Sequence, residues 1–358
     1  MPRLVTAPFC NALLAAAVLV LAAARINAAP LDLAAVSADA KWLMHFDIDA
    51  ARGSVVVQRA WEKMLKMHPH AGGMVDMVSR MAGMDPRKDL RDATAYGIDT
   101  DKRNGVMIMR GKVNREFLTR MVEKAADHKT MQHGDHTLHA WTHKRGRRSG
   151  PVVGAFYKDD VIVCGRTEAA VKTALDVLDG RQTAVTGDGP LAGRVRPGSI
   201  VVARATAVDP DTKCPVLKQG RSFRVALGEH EGKSFYRARL EMNTPAAADD
   251  VVDVVKGFTA LAGLRWGGEA DVMKLVDGVK TGVDGSTCTI SWDAEAEKVW
   301  QVVERAADDW QKRHRGRRGG HGCPACGKGG CEGCGKGACP VMKGGRSAAE
   351  APLREDEF

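Results

Sequence analysis

Apolar and polar residues alternate with period two through "AKWLMHFDIDA" (40–50). Trp42, Met44, Phe46 and Ile48 share one side, and Leu43, His45, Asp47 and Asp49 largely take the other. That pattern predicts a half-buried strand whose acidic side faces water. From residue 54 the period changes. Val57, Trp61, Met64 and Leu65, then Met74, Val75, Met77, Val78 and Met81, recur at helical spacing and predict two amphipathic helices. "ATAYGID" and "GVMIMRGKV" return to strand character, and Asn114 is placed to cap a helix running to about 127. A hairpin over 129–143 leads to "PVVGAFYKDDVIVCG", which should turn at Lys158, Asp159 and Asp160. Thr167 caps the next helix and Gly180 ends it.

The stretch "RQTAVTGDGPLAGRVRPG" (181–198) has glycine and proline punctuation without sustained periodicity, and marks a boundary. Beyond it come a strand in "SIVVARATAV" and a hairpin turning near Glu231 and Gly232. A helix opens at Thr244 and Pro245, another covers about 269–281, and a strand in "STCTISWD" precedes a helix carrying Val299, Trp300, Val303 and Trp310. The two halves end alike: "VIVCGRTEAAVKTALDVL" and "CTISWDAEAEKVWQVVER" are each strand, polar cap, helix. Strands come in hairpins and helices in clusters, so the expected fold is α+β, with two related units of antiparallel sheet, helices packed on one face, and a disordered Cys/Gly/Lys-rich C-terminal tail. The expected parts are a signal peptide (1–28), a first domain (29–183), a linker (184–198), a second domain (199–311) and the tail (312–358).

"ADAKWLMHFDIDA", "DPRKDLRDATAYG", "HTLHAW" and "TEAAVKTALDVLDG" resemble a group of uncharacterised exported bacterial proteins of planctomycete type. The resemblance covers most of 38–180 and little of the tail. It implies a shared exported α+β fold with no assigned activity, so it carries no site residue.

Arg3, the run "ALLAAAVLVLAAA" and Ile26-Asn27-Ala28 have the layout of a secretory signal peptide. The run is short of the roughly 20 apolar residues of a membrane span, and no later segment could span either. Export to the periplasm or outside is therefore expected. Formal net charge is +9, but residues 312–346 carry nine Lys or Arg against one Glu, and the last twelve residues hold four acids and Arg354. The body is nearly neutral, so the high isoelectric point does not argue for a nucleic-acid-binding body. "QKRHRGRRGGHG" could contact a polyanion or the envelope surface, and otherwise reads as a solvated linker.

Within the tail, "CPACGKGGCEGCGKGACP" repeats the unit C-x-x-C-G-K-G-x. Cys323, Cys326, Cys331 and Cys334 could supply four thiolates to a soft ion, zinc or copper(I), with Cys339 or His321 as substitutes. The repeats partly resemble the cysteine-glycine repeats of chaperone zinc domains, with Lys328 and Lys336 where those have glycine. In an oxidising compartment the same thiols could close small disulfides, and the odd fifth could pair with a partner chain. A low-complexity tail without chemistry is the plain alternative.

Other candidates have ordinary readings beside them. The M-x-x-M steps around "HPHAGG" suggest copper(I), but Met74, Met77, Met81 and Met84 fit a buried helical stripe better. "HGDHTLHAWTH" offers His133, Asp135, His136, His139 and His143. On a strand, His139, Trp141 and His143 share a face that His136 does not, so the five cannot all converge. His45, Asp47 and Asp49 could do acid-base work, but the strand pattern turns them to solvent. Cys164 and Cys288 read as buried thiols, and Cys214 as the one placed for exposure or pairing. No nucleophile elbow, zinc-protease, phosphate-loop or dinucleotide signature is present. The expectation is an exported, non-enzymatic binding or structural protein. A metal-dependent enzyme or redox and copper-handling protein using the His133–His143 cluster is the alternative.

Overall fold

The computed structural model describes residues 31–101, 104–143, 149–187, 189–206 and 218–318. The signal-peptide segment, Cys214, His321 and all five tail cysteines lie outside them. Residues up to 304 form one compact body that contains both halves of the sheet, and 305–358 are separate from it, of which only the helical stretch to Arg318 is described.

The first half opens with a 3-10 turn (Leu33–Ala35) and β1 (Trp42–Asp47), followed by α1 (Ile48–Gly53), α2 (Val55–Met67), α3 (Pro69–Ala82) and α4 (Pro86–Asp89). Next come β2 (Leu90–Gly97), β3 (Gly105–Gly111), α5 (Arg115–Glu123), β4 (Lys129–His133), β5 (His136–His143), β6 (Gly150–Lys158), β7 (Val161–Gly165) and α6 (Glu168–Leu178). The second half contains β8 (Ser199–Ala205), β9 (Gly220–His230), β10 (Lys233–Met242), α7 (Pro245–Trp266), α8 (Ala270–Asp277), β11 (Lys280–Asp284), β12 (Thr287–Glu295) and α9 (Ala296–Arg318). The basic run thus enters as helix, through Arg318.

Local chemistry sets the helix starts. Asn114 accepts from Phe117 N–H at 2.9 Å, Thr167 from Ala170 at 3.3 Å and Thr244 from Ala247 at 3.2 Å, each satisfying an amide that the first turn leaves unpaired. Gly180, at φ 74°, takes the left-handed turn after α6.

All described strands join one antiparallel sheet in the order β11-β12-β10-β9-β8-β1-β2-β3-β7-β6-β5-β4. The order contains a repeat. β1-β2-β3-β7-β6 in the first half matches β8-β9-β10-β12-β11 in the second, and α6 and α9 each follow the matching strand. The similar segments noted in the sequence fall on these equivalent strand–helix pairs. The first half adds α1–α4 after β1 and extends its edge with the β4–β5 hairpin. The units meet edge to edge where β1 pairs with β8, Leu43 opposite Arg204. Just before β8, where it meets β9, Gly198 has φ 75°, and an added Cβ would stand 2.1 Å from Glu229 O, so only glycine fits.

In the first unit, the sheet face bearing Leu43, Tyr96, Ile108 and Val163 packs against Val171, Ala174 and Leu175 of α6 and against Ala35 and Val36. α5 lies over the opposite face, above Ile162 and Cys164. In the second unit α7 packs Ala247, Ala248, Val251 and Val252 against Met242 and Cys288. The helices therefore flank the sheet and do not share one face. No helix among the described residues is long and apolar enough to cross a membrane.

Two faces are turned opposite to their sequence expectation. On β1, Met44 and Phe46 are 51% and 41% exposed, whereas His45 and Asp47 are 1% and 2%. On α3, Met74, Met77 and Met81 face outward, not into a core. In both cases the periodicity identifies residues that share a side, while packing decides which side is covered.

Candidate functional site

The histidines of the β4–β5 hairpin separate. His133 Nε2 lies 2.8 Å from Asp176 on α6, and His136 Nε2 2.9 Å from Asp179, with Arg181 bridging both carboxylates at 2.7 and 2.8 Å. His139 points to the other sheet face and stacks on His128, Nδ1 to Nε2 3.1 Å. The hairpin histidines thus pin strands to a helix instead of meeting at one point. Among the described residues no group of three or more His, Cys, Asp or Glu is arranged to hold a metal ion.

The β1 polar residues are buried. His45 Nδ1 is 2.9 Å from Thr94 Oγ1, and Asp47 accepts from Ala50 N–H at 2.7 Å, capping α1. Asp49 pairs with Arg52. Asp92 lies directly across from Asp47, with Arg110 at 3.5 Å. Burial pushes the Asp47 carboxyl up to about 6, and the neighbouring Asp49 and Asp92 add to this against the Ala50 hydrogen bond. Burial raises Asp92 as well, opposed by Arg110. These groups are enclosed, and their partners account for them as structural polar contacts.

The recess on the α5 side of the first unit is of a different kind. Side chains alternate along a strand, so His139, Trp141 and His143 of β5, Phe156 of β6, Ile162 and Cys164 of β7 and Met109 of β3 project from one face. Leu118 and Met121 of α5 roof them. Together they line a cavity of about 400 Å³, within the range of small-molecule sites. Gly154 forms part of the floor, where an added Cβ would meet nothing nearer than the Trp141 ring at 3.6 Å.

The electrostatics of this cavity suit an apolar guest. Burial pushes the Cys164 thiol up to about 11, which keeps it protonated and unreactive. Burial and the adjacent His128 lower His139, favouring the neutral imidazole. At one side the Arg115 guanidinium stands 5.1 Å from the Phe156 ring centroid. The walls carry no carboxylate. Such a site can shelter an apolar body and leave a polar end near Arg115. It offers no nucleophile–base pair. The sequence shows the shared face of His139, Trp141 and His143 but not the cavity, because Met109 and Cys164 reach it only through strand register and Leu118 only through the packing of α5.

No family model matches the chain, and no curated protein matches it. Among solved structures, crystal forms I, III and IV of TP0453 are similar to this chain at 11%, 10% and 8% identity, with TM-scores of 0.42, 0.41 and 0.42. They cover 77%, 77% and 78% of this chain and 97%, 98% and 98% of those chains. Likeness at this level supplies no argument about function.

Proposed function

We propose that the chain is an exported, non-enzymatic binding protein whose folded body holds an apolar or amphipathic small molecule in the cavity between α5 and the sheet. We retain in this proposal the kinship with uncharacterised exported bacterial proteins. The C-terminal C-x-x-C repeats would supply a separate soft-metal or disulfide function. The observation that carries the body's role is the roughly 400 Å³ cavity, walled by Met109, Leu118, Met121, Trp141, Phe156 and Ile162 and lacking any carboxylate. The recess opens to solvent between a helix and a sheet, and most of its lining is apolar.

The test is a homologous series of straight-chain alkyl carboxylates, measured by calorimetry against the wild type and Gly154→Val. Each added methylene buried should contribute about 0.8 kcal/mol, nearly a fourfold fall in Kd, until the cavity is full. Valine at 154 fits the backbone and fills the floor. It should weaken the longer members at least tenfold while leaving the melting temperature of the empty protein unchanged. Affinity independent of chain length, or indifferent to Gly154→Val, refutes the proposal.

A further inference from the structure

A second cavity, of about 290 Å³, lies in the other unit on the opposite side of the sheet, and it is lined by Arg194, Arg196, Arg204, Arg224, Arg237 and Arg239. Register explains the convergence. Arg204 of β8 sits directly across from Arg224 of β9, which sits directly across from Arg239 of β10, and Arg237 follows two residues along on the same face. Like charges placed opposite one another destabilise a sheet. Arg194 and Arg196 come from the loop leading into β8.

Negative charge within the fold does not balance them. No carboxylate lines this cavity. Asp293, just outside, pairs with Arg237 and lies 3.4 Å from Arg196. Glu241 is engaged by Ser222 at 2.8 Å. Arg204 is only 4% exposed, and its guanidinium is bonded by carbonyls alone, Leu191 O at 2.6 Å, Gly193 O at 3.0 Å and Arg194 O at 3.5 Å. Arg224 holds Pro190 O and Gly189 O, each at 2.9 Å. Arg204 and Arg224 thereby fasten the 189–194 loop across the cavity. The side chains of Arg239 and Arg194 have no hydrogen-bond or ion-pair partner among the described residues, and the Thr289 and Ser291 hydroxyls share the lining.

We propose that this cavity binds a multiply charged phosphate oxyanion, contacted by Arg239 and Arg194, with Arg204 and Arg224 positioning the loop that completes it and Arg237 held at its rim by Asp293 and the Tyr236 and Trp292 carbonyls. Planar guanidinium forks match phosphate oxygens in pairs, and a concave site of one sign concentrates the field on its occupant. Only a guest carrying several negative charges would offset five arginines beyond the one that Asp293 neutralises. The phosphate could belong to a soluble metabolite or to a lipid headgroup.

The test is calorimetry of the full chain with pyrophosphate at fixed ionic strength. Saturable one-to-one binding is expected, weakened about tenfold or more in Arg239→Gln and, independently, in Arg194→Gln, both exposed and so compatible with folding. Arg120→Gln, on α5 and away from the cavity, should bind as the wild type does. Flotation on vesicles containing phosphatidic acid, against phosphatidylcholine alone, separates the sources. Capture that requires Arg239 assigns a lipid phosphate; pyrophosphate binding without such capture assigns a soluble one. The proposal is overturned if Arg239→Gln and Arg194→Gln both keep wild-type affinity, if Arg120→Gln loses as much, or if citrate binds as tightly as pyrophosphate.

Discussion

Replacing Asp47 by asparagine should make the protein less sensitive to pH, and more stable at neutral pH. Asp47 ends β1 with its carboxyl 2% exposed and capping α1. Enclosure disfavours its charged form, raising the folded-state pKa to about 6 from an ordinary 3.8. A carboxyl raised on folding contributes stability that is complete below about pH 4 and is lost as pH climbs through about 6. The gap corresponds to about 3 kcal/mol, an upper figure for a site that water can reach by small movements. Asparagine keeps an oxygen for the Ala50 N–H and caps about as well as aspartate, so Asp47→Asn should match the wild type near pH 4. Above pH 7 it should exceed the wild type by up to about 3 kcal/mol. Asp92, also raised, remains in both proteins and leaves a smaller slope of the same sign. Urea unfolding followed by far-ultraviolet circular dichroism from pH 4 to 8 gives the difference directly. A stability difference that stays constant across that range would show that Asp47 is ionised in the fold throughout, and would refute the reasoning.

The unit boundary and the tail give two further expectations. Glu229 of β9 accepts from Ser54 Oγ at 2.8 Å and from Val55 and Val56 N–H at 2.9 and 3.4 Å, so a carboxylate of the second unit caps α2 of the first. Glu229→Gln removes the charge at a helix N-terminus and should lower stability by about 1–2 kcal/mol, read as a lower melting temperature, whereas Glu304→Gln, a partly exposed partner of Lys63, should change it by less than about 1 kcal/mol. For the tail, a chain ended after Arg318 should keep the full-length far-ultraviolet spectrum of the body and lose the zinc or copper that elemental analysis finds with the whole chain. Metal retained by the shortened protein would move the site into the body.

What could be read in the sequence was what is decided within a few residues. Asn114, Thr167 and Thr244 cap helices because their side chains meet amides three positions on. Glu231 and Gly232, both at positive φ, turn the β9–β10 hairpin. The repeat of strand, cap and helix is weak in letters but legible in pattern, because each copy is one local unit. The strand β11 was missed, since "KTGVD" is short and mostly exposed. Burial was misjudged where it depends on distant covering: His45 is enclosed because Thr94 lies 49 positions away in the chain and opposite it in the sheet. The arginine row has the same origin, since 204, 224 and 239 become neighbours only after two strand pairings are fixed.

The internal repeat explains why the two cavities lie where they do. Each unit must bury at least one sheet face to fold, and the two units have sealed different ones. In the first, the Leu43 face is closed by α6 over Tyr96, Ile108 and Val163, and the opposite face keeps space beneath α5. In the second, α7 closes the face of Met242 and Cys288, and the strand positions on the Leu43 side carry Arg204, Arg224, Arg237 and Arg239 where the first unit carries core residues. That face still buries Val202 and Phe235, but beside them it can hold charge that a fully packed core would exclude. A duplicated sheet that splits the task of packing in this way acquires one apolar recess and one cationic recess without either disturbing the burial that holds the other unit together.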